Sequence, residues 1–162
     1  MKKNEDLFLA AKEALENRGV DLKELAILVY EAQKKHSTDL TVDIALKHIE
    51  AVLKKREVQH AVLTGIAIDV ASEKGLLEGP IQDIIARDEG LYGPDETLAF
   101  SITNCYGSIA SSNFGNFDIN KPGIIGHFND KEARPGEVHT FLDDILCALV
   151  AAACSRYAHQ NG

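Results

Sequence analysis

The stretch TFLDDILCALVAAAC, residues 140–154, sets two adjacent aspartates in front of ten residues that are all apolar. An apolar run without alternation shows apolar side chains on every face of a helix, and such a helix is stable only when neighbours cover it all round. A buried helix at the centre of a bundle meets that condition. A membrane span does not, because this longest apolar run of the chain is about half of what a bilayer requires. The two charges are harder to place. Thr140 is a residue type that caps helices, which puts Asp143 and Asp144 in the first turn, where unpaired N–H groups and the helix dipole favour negative charge. Adjacent helical residues point about 100° apart. With apolar turns following, at least one carboxylate faces the core, where an unpaired charge costs several kcal/mol.

Outward from this helix, EVQHAVLTGIAIDVA at 57–71 is also apolar nearly all round and predicts a second helix buried on most sides, in which Thr64, Gly65 and Asp69 are unusual. Before it, Leu7, Phe8, Ala11 and Leu15 share one helical face, Gly19 ends that helix, and Leu22, Leu25, Ala26 and Val29 mark another. Thr41 caps a third, with Val42, Ala45, Leu46, Ile49, Val52 and Leu53 on its apolar side. Gly75 closes the 57–71 helix; Gly79-Pro80 and Gly93-Pro94 each open a further one. Residues 111–139 are rich in Ser, Asn, Gly, Pro and Asp and read as irregular around the short apolar piece GIIGHF. No convincing strand alternation and no repeat is present. The expected fold is all-α: a single-domain helical bundle over residues 1–162 with a central buried helix.

Composition narrows the function. At 162 residues, 45% hydrophobic and 26% charged, the chain has the makings of one folded core. A formal charge of −8 argues against nucleic acid as a partner, because phosphate backbones are held by Lys and Arg. Cys105, Cys147 and Cys154 show no CxxC spacing and read as reduced core residues, and MKKNEDLFLA has no secretory h-region. The expectation is a cytoplasmic protein without a transmembrane segment, free to touch a membrane from its surface. The apolarity of the 58–71 and 145–154 helices also predicts a homo-oligomer.

The acidic helix start recurs in GPDETLAFSI, where Asp95 and Glu96 follow Pro94 ahead of another apolar helix. Two such starts can converge on one hard divalent cation such as Mg²⁺, which takes carboxylate oxygens and substrate phosphate as ligands. Asp118 and Lys121, in FDINKPG, add a further acid and the only cation of that stretch. Capping alone also accounts for either acidic pair, and Asp69 can equally pair with a basic residue. The six histidines lack HxxxH and HExxH spacing, and no GxSxG or GxxxxGK[ST] occurs, so a zinc hydrolase, a serine or cysteine nucleophile and a phosphate loop have little support. His139, beside the acidic pair, is a candidate to assist.

Asp95-Glu96, DINKPG at 118–123 and GEVHTFLDDILCALVAAA at 136–153 resemble the motif blocks of phosphatidylglycerophosphatase A proteins. KREVQHAVLTGIAIDV, DEGLYGPDETLAFSI and GEVHTFLDDI resemble its soluble branch, the YutG-like or low-temperature-requirement C proteins, over nearly the whole chain. The resemblance implies an all-helical phosphatase that uses Mg²⁺ to hydrolyse a phosphomonoester, in the wider family converting phosphatidylglycerophosphate to phosphatidylglycerol. It implies Asp95, Glu96, Asp118, Asp143 and Asp144 as metal ligands, with Asp95, Asp143, Asp144 and Lys121 in the catalytic set and Lys121 steadying the phosphate. Thr64 and His139 are further candidates for substrate contact. The membrane-bound enzymes carry a PGT element for which LTGIAID at 63–69 is only a loose counterpart, with Thr64 the matching residue. A soluble small-molecule phosphohydrolase and a non-catalytic helical oligomer with a structural metal site are the competing readings.

Overall fold

The computed structural model describes residues 3–161, and every regular element among them is a helix. In chain order these are α1 (Asn4–Asn17), α2 (Leu22–Gln33), α3 (Val42–Leu53), α4 (Arg56–Glu73), α5 (Pro80–Ala86), α6 (Pro94–Thr103), α7 (Ser108–Asn120), α8 (Ile124–Asn129) and α9 (Leu142–Asn161). The apolar run sits where its composition requires. Every residue of α9 from Leu142 to Ser155 is buried, and α2, α3, α4, α6, α7 and α8 all pack against it. Its small side chains, Ala148, Ala151, Ala152 and Ala153, let so many neighbours approach closely.

The outer helices bury single stripes. α3 buries Ala45, Ile49, Val52 and Leu53, and the Thr41 hydroxyl accepts the Ile44 N–H as its cap. α1 and α2 bury the faces their periodicity marks, Phe8, Ala11 and Leu15 in one and Leu22, Leu25, Ala26 and Val29 in the other. α4 departs from expectation. Val58, Val62, Gly65, Ile66 and Asp69 are buried, but His60, Thr64 and Ala67 lie on an exposed stripe, so this helix is not covered on most sides. Small residues made it look more uniformly apolar than a core helix need be.

The larger correction is at 111–139, where the expected irregular region holds α7 and α8. Ser111, Ser112, Asn113, Gly115 and Asn116 are poor helix formers, yet Ala110, Phe114 and Phe117 recur at helical spacing and bury one face. Packing against α9 supplies what local propensity lacks. Within this region, residues 121–123 and the stretch from Asp130 onward lack regular helix. Among the cysteines, Cys147 and Cys154 are core residues as expected, whereas Cys105 is only half-buried.

Candidate metal and phosphate site

The N-terminus of α9 is fixed by a residue far away in sequence. Both carboxylate oxygens of Asp69, on α4, accept backbone N–H groups, from Phe141 at 3.0 Å and Leu142 at 3.0 Å. Gly65, one turn earlier on α4, makes this approach possible: a Cβ there would come 3.2 Å from the Phe141 Cβ and 2.4 Å from the Ile145 Cδ1. The Thr140 hydroxyl instead donates to the Ile85 carbonyl at 2.6 Å, so the expected cap is not the cap used.

Held this way, Asp143 and Asp144 are 5% and 4% exposed but open onto a cleft of about 220 Å³. Gly93-Pro94 starts α6 beside it, bringing in Asp95, whose carboxyl lies close enough to Asp144 to share a hydrogen bond, and Glu96. The end of α7 brings Asp118 and Lys121. Asp88 and Glu89, from the turn after α5, complete a lining of seven carboxylates and one ammonium. Asp88 was missed by sequence reasoning, although the block DEGLYGPDE begins with it; its positive φ of 53° is the structural sign of a specially held residue.

The Lys121 ammonium donates to Asp118 Oδ1 at 2.6 Å and Asp143 Oδ2 at 3.1 Å, and lies 3.8 Å from Asp144 Oδ1. Its backbone is left-handed, φ 43° and ψ 55°, an uncommon conformation for a residue with a side chain. Gly126 supports it: a Cβ there would meet the Lys121 carbonyl oxygen at 2.6 Å, a backbone atom that cannot swing aside. Gly126→Ala is therefore expected to cost about 1–3 kcal/mol in urea unfolding and to displace Lys121. Wild-type stability in that variant would show the contact to be compliant.

Burial dominates the electrostatics. It raises the Asp143 pKa to about 7 against the pull of Lys121, and raises Asp144 to about 10, with Asp143 and Asp95 adding repulsion. Burial opposes charge on Lys121 too, but Asp143 and Asp118 outweigh it and hold its pKa above the usual lysine value. The buried Cys147 thiol is pushed up as well, the wrong direction for a nucleophile. Seven carboxylates facing one ammonium leave negative charge uncompensated, and hard oxygen donors of this kind suit Mg²⁺. Among the described residues, no three His, Cys, Asp or Glu side chains stand close enough together to hold a metal ion as they are placed, so the carboxylates of the cleft would have to draw together around one.

Two candidates lie elsewhere. Thr64 is on the exposed stripe of α4 and does not line the cleft. His139 is buried in a separate network, with Nε2 2.6 Å from Glu137 and Nδ1 3.2 Å from Arg18, and burial lowers its pKa. Arg18 pairs with Glu73 and donates to the Val138 carbonyl, so these groups tie down the loop that leads into α9.

Comparison with known proteins supplies the family and the fold. A family model described as phosphatidylglycerophosphatase A matches residues 22–159. The uncharacterised protein YutG of Bacillus subtilis is 51% identical over 150 residues, covering 93% of this chain and 89% of its own. YpjQ of the same organism, also uncharacterised, is 46% identical over 93% of this chain and 83% of its own. The crystal structure of the low temperature requirement C protein from Listeria monocytogenes superposes with a TM-score of 0.91 at 51% identity, over 98% of each chain. The chain with seven carboxylates around one lysine at the head of a buried helix belongs to the phosphatidylglycerophosphatase A family.

Proposed function

We propose that this protein is a Mg²⁺-dependent phosphatase that hydrolyses a phosphomonoester, with phosphatidylglycerophosphate, giving phosphatidylglycerol, as the first substrate to test. The carrying observation is the convergence of carboxylates from α6, α7 and α9 with Lys121 in one cleft, in a chain of this family. Asp95, Glu96, Asp118, Asp143 and Asp144 would hold the cation. Bound there, Mg²⁺ would neutralise phosphate charge and ease the attack of water on phosphorus. Lys121 supplies the positive charge that holds the phosphate oxygens. Asp143, which Lys121 contacts directly, would serve as a ligand of the cation and help orient the attacking water. Water adds to phosphorus, the phosphorus–oxygen ester bond breaks, and the alcohol and inorganic phosphate leave. Neither a serine nor a cysteine takes part.

A lipid substrate draws support from the rim of the cleft. Leu91 is 97% exposed between the lining residues Gly90 and Tyr92, and Ile119, next to Asp118, is 83% exposed. With the phosphate inside, the rest of the substrate leaves past these aliphatic side chains. No described helix is long and apolar enough to cross a membrane, and a lipid substrate would be met at the surface of a bilayer or micelle.

The test is phosphate release from phosphatidylglycerophosphate micelles with Mg²⁺ and with EDTA. Release that EDTA abolishes is expected. Release only from water-soluble phosphomonoesters would transfer the reading to a small-molecule phosphohydrolase, and none from any substrate would leave a structural role for the site. We also expect a homo-oligomer, now supported by the open stripe of α4 alone, because the apolar run of α9 is covered within one chain. A monomeric mass by light scattering at micromolar concentration would reject it.

A further inference from the structure

We propose that Lys121 is a resident counter-ion, competing with the divalent cation for the same carboxylates, so that metal binding must first drive its ammonium off them. This rests on the reading that these carboxylates bind a divalent cation. Among the described residues Lys121 is the only cation lining the cleft, and its ammonium contacts acids from two helices, Asp118 on α7 and Asp143 on α9, with Asp144 just beyond. The left-handed backbone at Lys121 and the close passage of Gly126 under its carbonyl aim it there. A divalent ion drawing on the same oxygens would stand within a few ångströms of the ammonium, and like charges so close repel strongly in a half-buried site. The lysine stem is long and flexible and its side chain is 22% exposed, so it has somewhere to go. Displacement also explains how one residue serves two partners: it balances the acids in the metal-free protein and becomes available to a phosphate once the metal has replaced it.

The experiment measures metal affinity without turnover, titrating the full chain with Mg²⁺ by calorimetry and with Mn²⁺ by electron paramagnetic resonance. Lys121→Met removes the competitor and is expected to bind either ion about tenfold or more tightly than wild type. Lys121→Arg keeps the competitor in a form that grips carboxylates with a fixed fork, and is expected to bind the ions more weakly; it serves also if the methionine variant does not fold. Affinity that is unchanged or weaker in Lys121→Met, unchanged or tighter in Lys121→Arg, or no binding by any form, overturns the proposal. The phosphatase reading stands or falls separately: the affinity shifts without phosphate release from any substrate would sink only that reading, and metal-dependent release with unshifted affinities would sink only this one.

Discussion

Asp69→Ala is expected to destabilise the protein by about 3 kcal/mol or more, read as a fall in melting temperature of about 10 °C. The alanine leaves the N–H groups of Phe141 and Leu142 without an acceptor in a place water does not reach, since Asp69 is 0% exposed and Leu142 is 0% exposed. Each stranded buried donor costs about 1–3 kcal/mol, and the cavity left by the carboxylate adds to this. Burial pushes the Asp69 pKa up, while the two N–H groups and Arg18 pull against it. Asp69→Asn keeps one acceptor oxygen and turns an amide group towards the other donor, so an intermediate loss is expected. Circular dichroism melts of the two variants measure the series, and an alanine variant within 1 kcal/mol of wild type would show that the start of α9 does not depend on Asp69. Because the same two bonds set where Asp143 and Asp144 stand, the soluble fraction of either variant should also lose metal affinity.

Asp69 shows where sequence reading stops. Its charge inside an apolar helix is visible at once, but its partners lie 72 and 73 residues away, and nothing local distinguishes a carboxylate that caps a remote helix from one that pairs with a lysine. Thr140 offered a local cap and was preferred for that reason, while the fold uses its hydroxyl to hold Ile85. Helices with apolar periodicity and explicit caps, such as α3 behind Thr41, were legible because their stability is written in adjacent residues. α7 was not, because its Ser, Asn and Gly residues argue against a helix that only the burial of Ala110, Phe114 and Phe117 sustains.

The candidate site divides in the same way. Two acidic helix starts and an isolated lysine are chemically odd in any context, so Asp95, Glu96, Asp118, Lys121, Asp143 and Asp144 could be singled out and the fold places them in one cleft. Asp88 follows a short helix with no oddity of its own, and only the positive φ and the folded position reveal it. His139 was chosen by proximity in sequence, and Thr64 by a loose match to the PGT element. On a helix, proximity says little about direction: Thr64 turns outward a residue away from Gly65, which faces α9.

Asp144→Asn is expected to make the metal-free protein more stable and to cost turnover about two orders of magnitude or more. An aspartate in an unfolded chain titrates near 4, whereas burial and the neighbouring Asp143 and Asp95 carboxyls raise Asp144 to about 10 in the fold. A folded pKa above the unfolded one means the native state holds the proton more tightly. Its contribution is fully present below about pH 4 and is lost as pH rises towards 10, with Asp143 adding a similar loss up to about 7. Metal-free wild type should therefore melt lower at pH 9 than at pH 6 so far as this pair is concerned. Asparagine has no proton to lose and can still donate a hydrogen bond to Asp95, so the variant should melt above wild type at pH 9 in EDTA, by about 3 °C for each kcal/mol gained. Mg²⁺ should reverse the order, because a bound cation stabilises the ionised carboxylates and the gain should be larger at pH 9 than at pH 6. A variant that melts below wild type in EDTA, or that keeps the full Mg²⁺ shift, would mean that Asp144 is a structural acid and that the negative charge at the head of α9 is not held for a cation.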